Sequence, residues 1–200
     1  MTRHARDAAA VLWRNWPQRT RIDALPPDCR PGDRAAGYAA QREMARLSGQ
    51  PVVGWKIAAT SAAGQKHIGV DGPLAGPLLI NRVLESGEVV PLDGNIMMVA
   101  EAEFAFMFRT ALPKRTNPYM QEEVMAAVAS LHPAIEVPDS RFNDFARVGA
   151  PQLIADTACS CWFVLGPAAA AEWRARDLVP HAVTAYRNGE PAATGSGANV

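Results

Sequence analysis

The sequence predicts an α+β fold, and three observations carry that expectation. Apolar side chains recur at helical spacing through the first fifty residues. From Val52 onward the chain breaks into short apolar runs punctuated by glycine and proline. Near the end, Asn188-Gly189 follows such a run with the strongest short hairpin signal a sequence offers. The expected organisation is a helical arm over 1–50 and a mixed, β-rich body over 51–200.

Ala5, Ala8, Val11 and Leu12 share one face of a first helix that Pro17 is expected to end. Pro26, Pro27 and Pro31 mark a connector. A second helix is expected over 33–47, capped by Asp33, stopped near Gly49 and buried through Ala36, Ala40, Met44 and Leu47. VVGWKIAAT, from Val52, reads as a strand with Lys56 at its centre. Ser61 caps a short helix to Ile68, and Gly69 to Pro73 form a turn containing Asp71. Short apolar pieces follow at 77–80 and 83–84. Then comes VAEAEFAFMF from Val99, read as a strand, and a polar loop over 112–118. A helix is expected over 119–131, a four-residue strand over 134–137 carrying Glu136, and an apolar strand over 161–165. An Ala-rich helix near 168–174 and a strand over 181–187 complete the elements.

Composition narrows the function classes. Lys plus Arg and Asp plus Glu number 20 each, so no net field attracts nucleic acid or an acidic membrane surface. No apolar run approaches the ~20 residues of a membrane span, and the run from Ala8 to Trp13 is too short for a signal-peptide core. Cys29, Cys159 and Cys161 follow no zinc spacing and read as buried thiols of a reducing compartment. The expected location is cytoplasmic. The four histidines show no ligand spacing, and the glycine-rich tail does not follow a strand-to-helix phosphate pattern.

The chemistry gathers on VAEAEFAFMF. In a strand, residues i and i+2 face the same way, so Glu101 and Glu103 project together, roughly 7 Å apart at the backbone. Ala100, Ala102, Phe104 and Phe106 take the other face and suit a core. Two like charges held together are unfavourable unless a cation or proton lies between them. Taken singly, such a pair is also compatible with a solvated edge, Lys56 with a snorkelling surface lysine, Glu136 with an edge strand and Asp71 with an ordinary turn. Taken together, three carboxylates without histidine or thiolate partners favour Mg²⁺ or Mn²⁺ over zinc. Such a site leaves positions open for a chelating 2-oxo acid, whose enolate the ion would stabilise as a Lewis acid.

The ordered set GWKIAATS, QKHIGVDGPLAGPLL, EAEFAFMF, PAIEVPDSRF and IADTACSCWFVLG resembles the 2-oxopent-4-enoate hydratase family, which includes 4-oxalocrotonate decarboxylases and belongs to the fumarylacetoacetate hydrolase superfamily. The resemblance runs from about residue 35 to the end. It implies a mixed β-sheet roll of the fumarylacetoacetate hydrolase type behind the helical arm. It implies that Glu101, Glu103 and Glu136 hold Mg²⁺ or Mn²⁺, that Lys56 and Asp71 move protons, and that Ser160 orients substrate. It places Asp156 and Thr157 at the substrate pocket, with Thr157 where the family usually has Asn and Cys159 where it has Ser. Family members usually continue past GSGANV, so the resemblance also implies that C-terminal strands are missing from this chain.

The implied activity is a metal-dependent hydratase that adds water to a 2-hydroxy-alkadienoate in aromatic-compound catabolism. The alternatives are a 2-oxo-dienedioate decarboxylase using the same metal enolate, or a shortened non-catalytic partner subunit. The implied partners are a small-molecule dienoate, other copies of the chain in a homo-oligomer and a pathway decarboxylase, with no nucleic acid and no membrane.

Overall fold

A computed structural model describes residues 2–199. Helix α1 (Arg3–Gln18) is capped by the Thr2 hydroxyl, which accepts from the Ala5 N–H. It runs through Pro17 rather than stopping before it, and Arg19 ends it in a left-handed conformation. A proline so near the C-terminus forfeits only one helical hydrogen bond. Helix α2 (Arg34–Ser48) begins and ends where its sequence signals lie, with Asp33 accepting from Ala36 N–H and Gly49 left-handed. Ala8, Ala9 and Leu12 of α1 and Ala40 and Met44 of α2 share one core with Phe142 and Ala155.

The body has two packed sheets and a hairpin. β1 (Val52–Ala58) and β2 (Leu74–Leu79) pair antiparallel, with helix α3 (Ala62–His67), capped by Ser61, between them. The larger sheet has the order β3-β6-β5-β4. Its members are β3 (Val83–Glu85), β4 (Glu101–Phe108), β5 (Val128–Val137) and β6 (Trp162–Leu165). β3 runs parallel to β6, and the other pairs are antiparallel. Leu78 of β2 packs on Ala134 and Phe163, which joins the two sheets face to face. β7 (Ala182–Arg187) and β8 (Glu190–Ser196) form the closing hairpin, with Asn188 and Gly189 both at positive φ (54° and 85°). Short helices α4 (Gln121–Ala127) and α5 (Ala150–Ala155) complete the chain.

Two expectations are corrected. The helix expected over 119–131 is only α4, and the strand expected over 134–137 begins six residues earlier, at Val128. β6 pairs only with the end of β5, from Ala134 to Val137, whereas β4 pairs along its whole length, and it is the β4 ladder that overrides the local helical pattern of VASL. Of the β4 face expected in the core, Phe104 does pack on buried Val128, Leu131 and Trp173, but Ala100, Ala102 and Phe106 are exposed, Phe106 at 38% against Trp173. The glutamate face is the one turned toward the β1-β2 sheet, where Ala105 joins Leu78, Ala134 and Phe163.

Candidate metal centre

The ladder between β4 and β5 places Glu101 directly opposite Glu136, and Glu103 opposite Ala134. Directly opposed residues project from the same face of a sheet, as do residues i and i+2. The register therefore brings all three carboxylates together, and their oxygens lie within 4.8 Å of one another. They are graded in depth: Glu136 is buried, Glu103 half-buried and Glu101 exposed. Lys56 reaches in from β1, with Nζ 3.0 Å from Oε1 of Glu136, and both side chains are almost wholly buried. The two form a buried ion pair at hydrogen-bonding distance.

The electrostatics disfavour full ionisation of the cluster on its own. Burial, reinforced by Glu136 and Glu101 and opposed by Lys56, pushes the Glu103 carboxyl up to about 7. Glu136 is also raised, by burial above all, even against Lys56. Burial pulls the Lys56 ammonium down, but the surrounding groups, Glu136 first, outweigh it and leave the pKa above the ordinary lysine value. Three hard oxygen donors on one face, with oxygens within 4.8 Å of one another, fit a divalent cation of the Mg²⁺, Mn²⁺ or Ca²⁺ type.

These residues line an open cleft of about 790 Å³. Ile57, Ile68, Met97, Phe145 and Leu153 supply apolar wall, and the β7-β8 hairpin borders another side. His181, at the start of that hairpin, stands against Phe104 with ring centroids 6.0 Å apart.

The remaining expected site residues lie elsewhere. Asp71 is on a surface turn outside the cleft lining, 88% exposed at its side chain and ion-paired with Arg34. The same Arg34 donates to the carbonyls of Pro73 and Gly72, so this arginine ties the turn to the start of α2. Asp156 is fully buried and accepts from the Ser140 hydroxyl (2.7 Å) and the Arg141 N–H (2.6 Å). Burial raises it to about 6 against those hydrogen bonds. The Thr157 hydroxyl donates to the carbonyls of Asp156 and Ser160, and the Ser160 hydroxyl to the carbonyl of Pro77. None of the three lines the cleft; their polar atoms brace a turn behind it.

That turn is unusual. Thr157, Ala158 and Cys159 are all left-handed, with φ of 57°, 50° and 64°. Each such non-glycine residue costs roughly 1–2 kcal/mol, and the hydrogen bonds of Thr157 and Ser160 hold the turn in place. Gly76 lets β2 approach it, since a Cβ there would stand 2.1 Å from the Thr157 carbonyl oxygen. The turn presents Ala158 and Cys159 to the cleft beside Lys56. Cys159 and His181 line the cleft beside the expected site residues. The only signal for His181 was the Asn188-Gly189 hairpin that it precedes, and Cys159 carried none beyond its departure from a family serine. All three cysteines are free and buried, as expected. No helix among the described residues is long and apolar enough to cross a membrane.

No protein-family model matches the chain. The chain is 35% identical over 180 residues to a 2-keto-4-pentenoate hydratase of Burkholderia vietnamiensis, covering 88% of this chain and 67% of that protein. It is 36% identical over 159 residues to a 2-hydroxypent-2,4-dienoate hydratase of Pseudomonas putida, covering 78% and 69% respectively. The fold matches a solved 4-oxalocrotonate decarboxylase from Pseudomonas putida G7, complexed with magnesium and adipate, with a TM-score of 0.84. That match has 27% identity and covers 99% of this chain and 75% of the other.

Proposed function

The chain belongs to the family of 2-keto-4-pentenoate hydratases and 4-oxalocrotonate decarboxylases, and from that premise we propose that it hydrates a 2-hydroxy-alkadienoate to a 4-hydroxy-2-oxo acid. The observation that carries this reading is the convergence of Glu101, Glu103 and Glu136 beside Lys56 at the floor of the cleft. Glu101, Glu103 and Glu136 would hold Mg²⁺ or Mn²⁺, which when bound supplies Lewis-acid polarisation to the 2-oxo group.

In the overall reaction the dienol loses its 2-hydroxyl proton and gains one at the far end of the diene, leaving a conjugated 2-oxo-3-enoate. Water then adds its hydroxyl at carbon 4 and a proton at carbon 3. The raised pKa of Lys56 keeps its ammonium charged at neutral pH, which suits pairing with the substrate carboxylate. Ile57, Ile68, Met97 and Phe145 offer an apolar wall to an uncharged alkenyl tail and keep water from that side. With Asp71 outside the cleft, proton movement falls to groups that line it.

The test is loss of dienoate ultraviolet absorbance on adding protein and Mg²⁺; unchanged absorbance with folded, metal-loaded protein refutes hydration. The match to a decarboxylase favours one second reading. Release of carbon dioxide from 4-oxalocrotonate without loss of the monocarboxylate dienol would select it. We also read the exposed pair Val53 and Trp55 on one face of β1 as a contact between copies in a homo-oligomer. Light scattering that returns a monomer mass refutes that assignment.

A further inference from the structure

Behind the cleft lies a second, smaller cavity of about 60 Å³. Trp13 and Trp16 of α1 and Met44 of α2 form one side, and Pro77 of β2 and Arg82 form another. Its floor is the reverse of the left-handed turn: Thr157 and Ser160 face this cavity, whereas Ala158 and Cys159 face the cleft.

Arg82 sets its chemistry. The Arg82 Cζ lies 4.3 Å from the ring centroid of Trp162 and 5.7 Å from that of Trp16. Among the described residues its guanidinium takes part in no ion pair. Its neighbour across the Trp16 ring, Arg141, does, with Asp139. Aromatic rings engage the face of a guanidinium and leave its in-plane N–H edge free, the edge that matches a carboxylate through two parallel hydrogen bonds. A charge held by indoles without an acid partner is thus immobilised but not neutralised. At ~15 Å³ for each water-sized group the cavity takes about four, the size of a carboxylate with one further carbon atom. The apolar surfaces of Trp13, Met44 and Pro77 suit the carbon end.

We propose that this cavity is a second binding site, for a short-chain monocarboxylate anchored by Arg82. The assignment stands apart from the hydratase reading, because it uses none of the residues at the metal centre.

The test titrates the Mg²⁺-loaded full chain with acetate and follows indole fluorescence, since Trp13 and Trp16 line the cavity and Trp162 stacks on Arg82. Wild type is expected to show a saturable change, Arg82→Gln to weaken it at least tenfold, and Ala45→Leu to abolish it by filling the space from α2. Glu103→Gln, in the cleft, should leave it unaltered. A change that persists in both Arg82→Gln and Ala45→Leu overturns the site, as does one lost in Glu103→Gln or one that never saturates. Equal competition by inorganic phosphate overturns the carboxylate class. If Arg82→Gln does not fold because the arginine staples α1 to β6, the Ala45→Leu result decides alone.

Discussion

Replacing Glu103 by Gln removes one negative charge from the carboxylate cluster while keeping shape and volume. In the metal-free protein the Glu103 carboxyl is pushed up to about 7 from 4.5. At ~1.36 kcal/mol per pKa unit, holding it ionised costs about 3 kcal/mol before screening. Glu103 is only half-buried, and solvent screening reduces this to about 1–2 kcal/mol. Between pH 4.5 and 7 the native state binds a proton that the unfolded chain has released, so stability falls as pH rises through that window. The full cost is present above it. Glu103→Gln should therefore stabilise the chelator-treated protein by about 1–2 kcal/mol at pH 8, and the gain should vanish below about pH 4.5. The same change removes a proposed ligand, and should weaken Mg²⁺ binding at least tenfold, about 1.4 kcal/mol or more. Urea unfolding with chelator and calorimetric Mg²⁺ titration read the two effects. A variant less stable than wild type without metal, or one with unaltered Mg²⁺ affinity, refutes the reasoning.

Lys56→Met leaves Glu136 buried without its cation and should cost about 3–5 kcal/mol in chelator, measured by urea unfolding, with part of the loss recovered on adding Mg²⁺. Wild type itself should gain about 2.7 kcal/mol when Mg²⁺ stands at 100 times its dissociation constant, and a chelator should reverse the shift in melting temperature. Gly76→Ala drives a Cβ onto the Thr157 carbonyl oxygen and should destabilise by about 1–3 kcal/mol, seen in thermal melting. Asp71→Asn should leave both melting temperature and turnover near wild type, because its partner Arg34 and its turn are at the surface. A turnover loss of tenfold or more would return Asp71 to the reaction.

Where a structural decision is local, the sequence was legible. Asp33 and Ser61 cap helices because their side chains reach an N–H three residues on, and Asn188-Gly189 turns because both residues accept positive φ. Strand parity is local too, so the shared face of Glu101 and Glu103 was readable. Which side of β4 faces inward was not, because Lys56 and Leu78 lie some 25 to 45 residues earlier in the chain. VASL was misread for a similar reason: its strand exists through pairing with β4, some 20 residues earlier in the chain. The turn at Thr157, Ala158 and Cys159 had no glycine to announce it, and only the packing of Gly76, Pro77 and Ser140 makes its backbone tenable. Resemblance supplied Ser160 and Asp156 as pocket residues, and the structure shows their polar atoms turned to that bracing instead.

One consequence of placing Lys56 against Glu136 concerns valence. Three carboxylates facing a single ammonium leave the fully ionised cluster with two negative charges. A divalent ion brings that interior to neutrality, a sodium ion leaves it anionic, and a trivalent ion makes it cationic. In a partly desolvated space any residual charge is costly. The lysine therefore acts as a fixed offset, setting the count of charge that the three glutamates admit rather than the element that carries it.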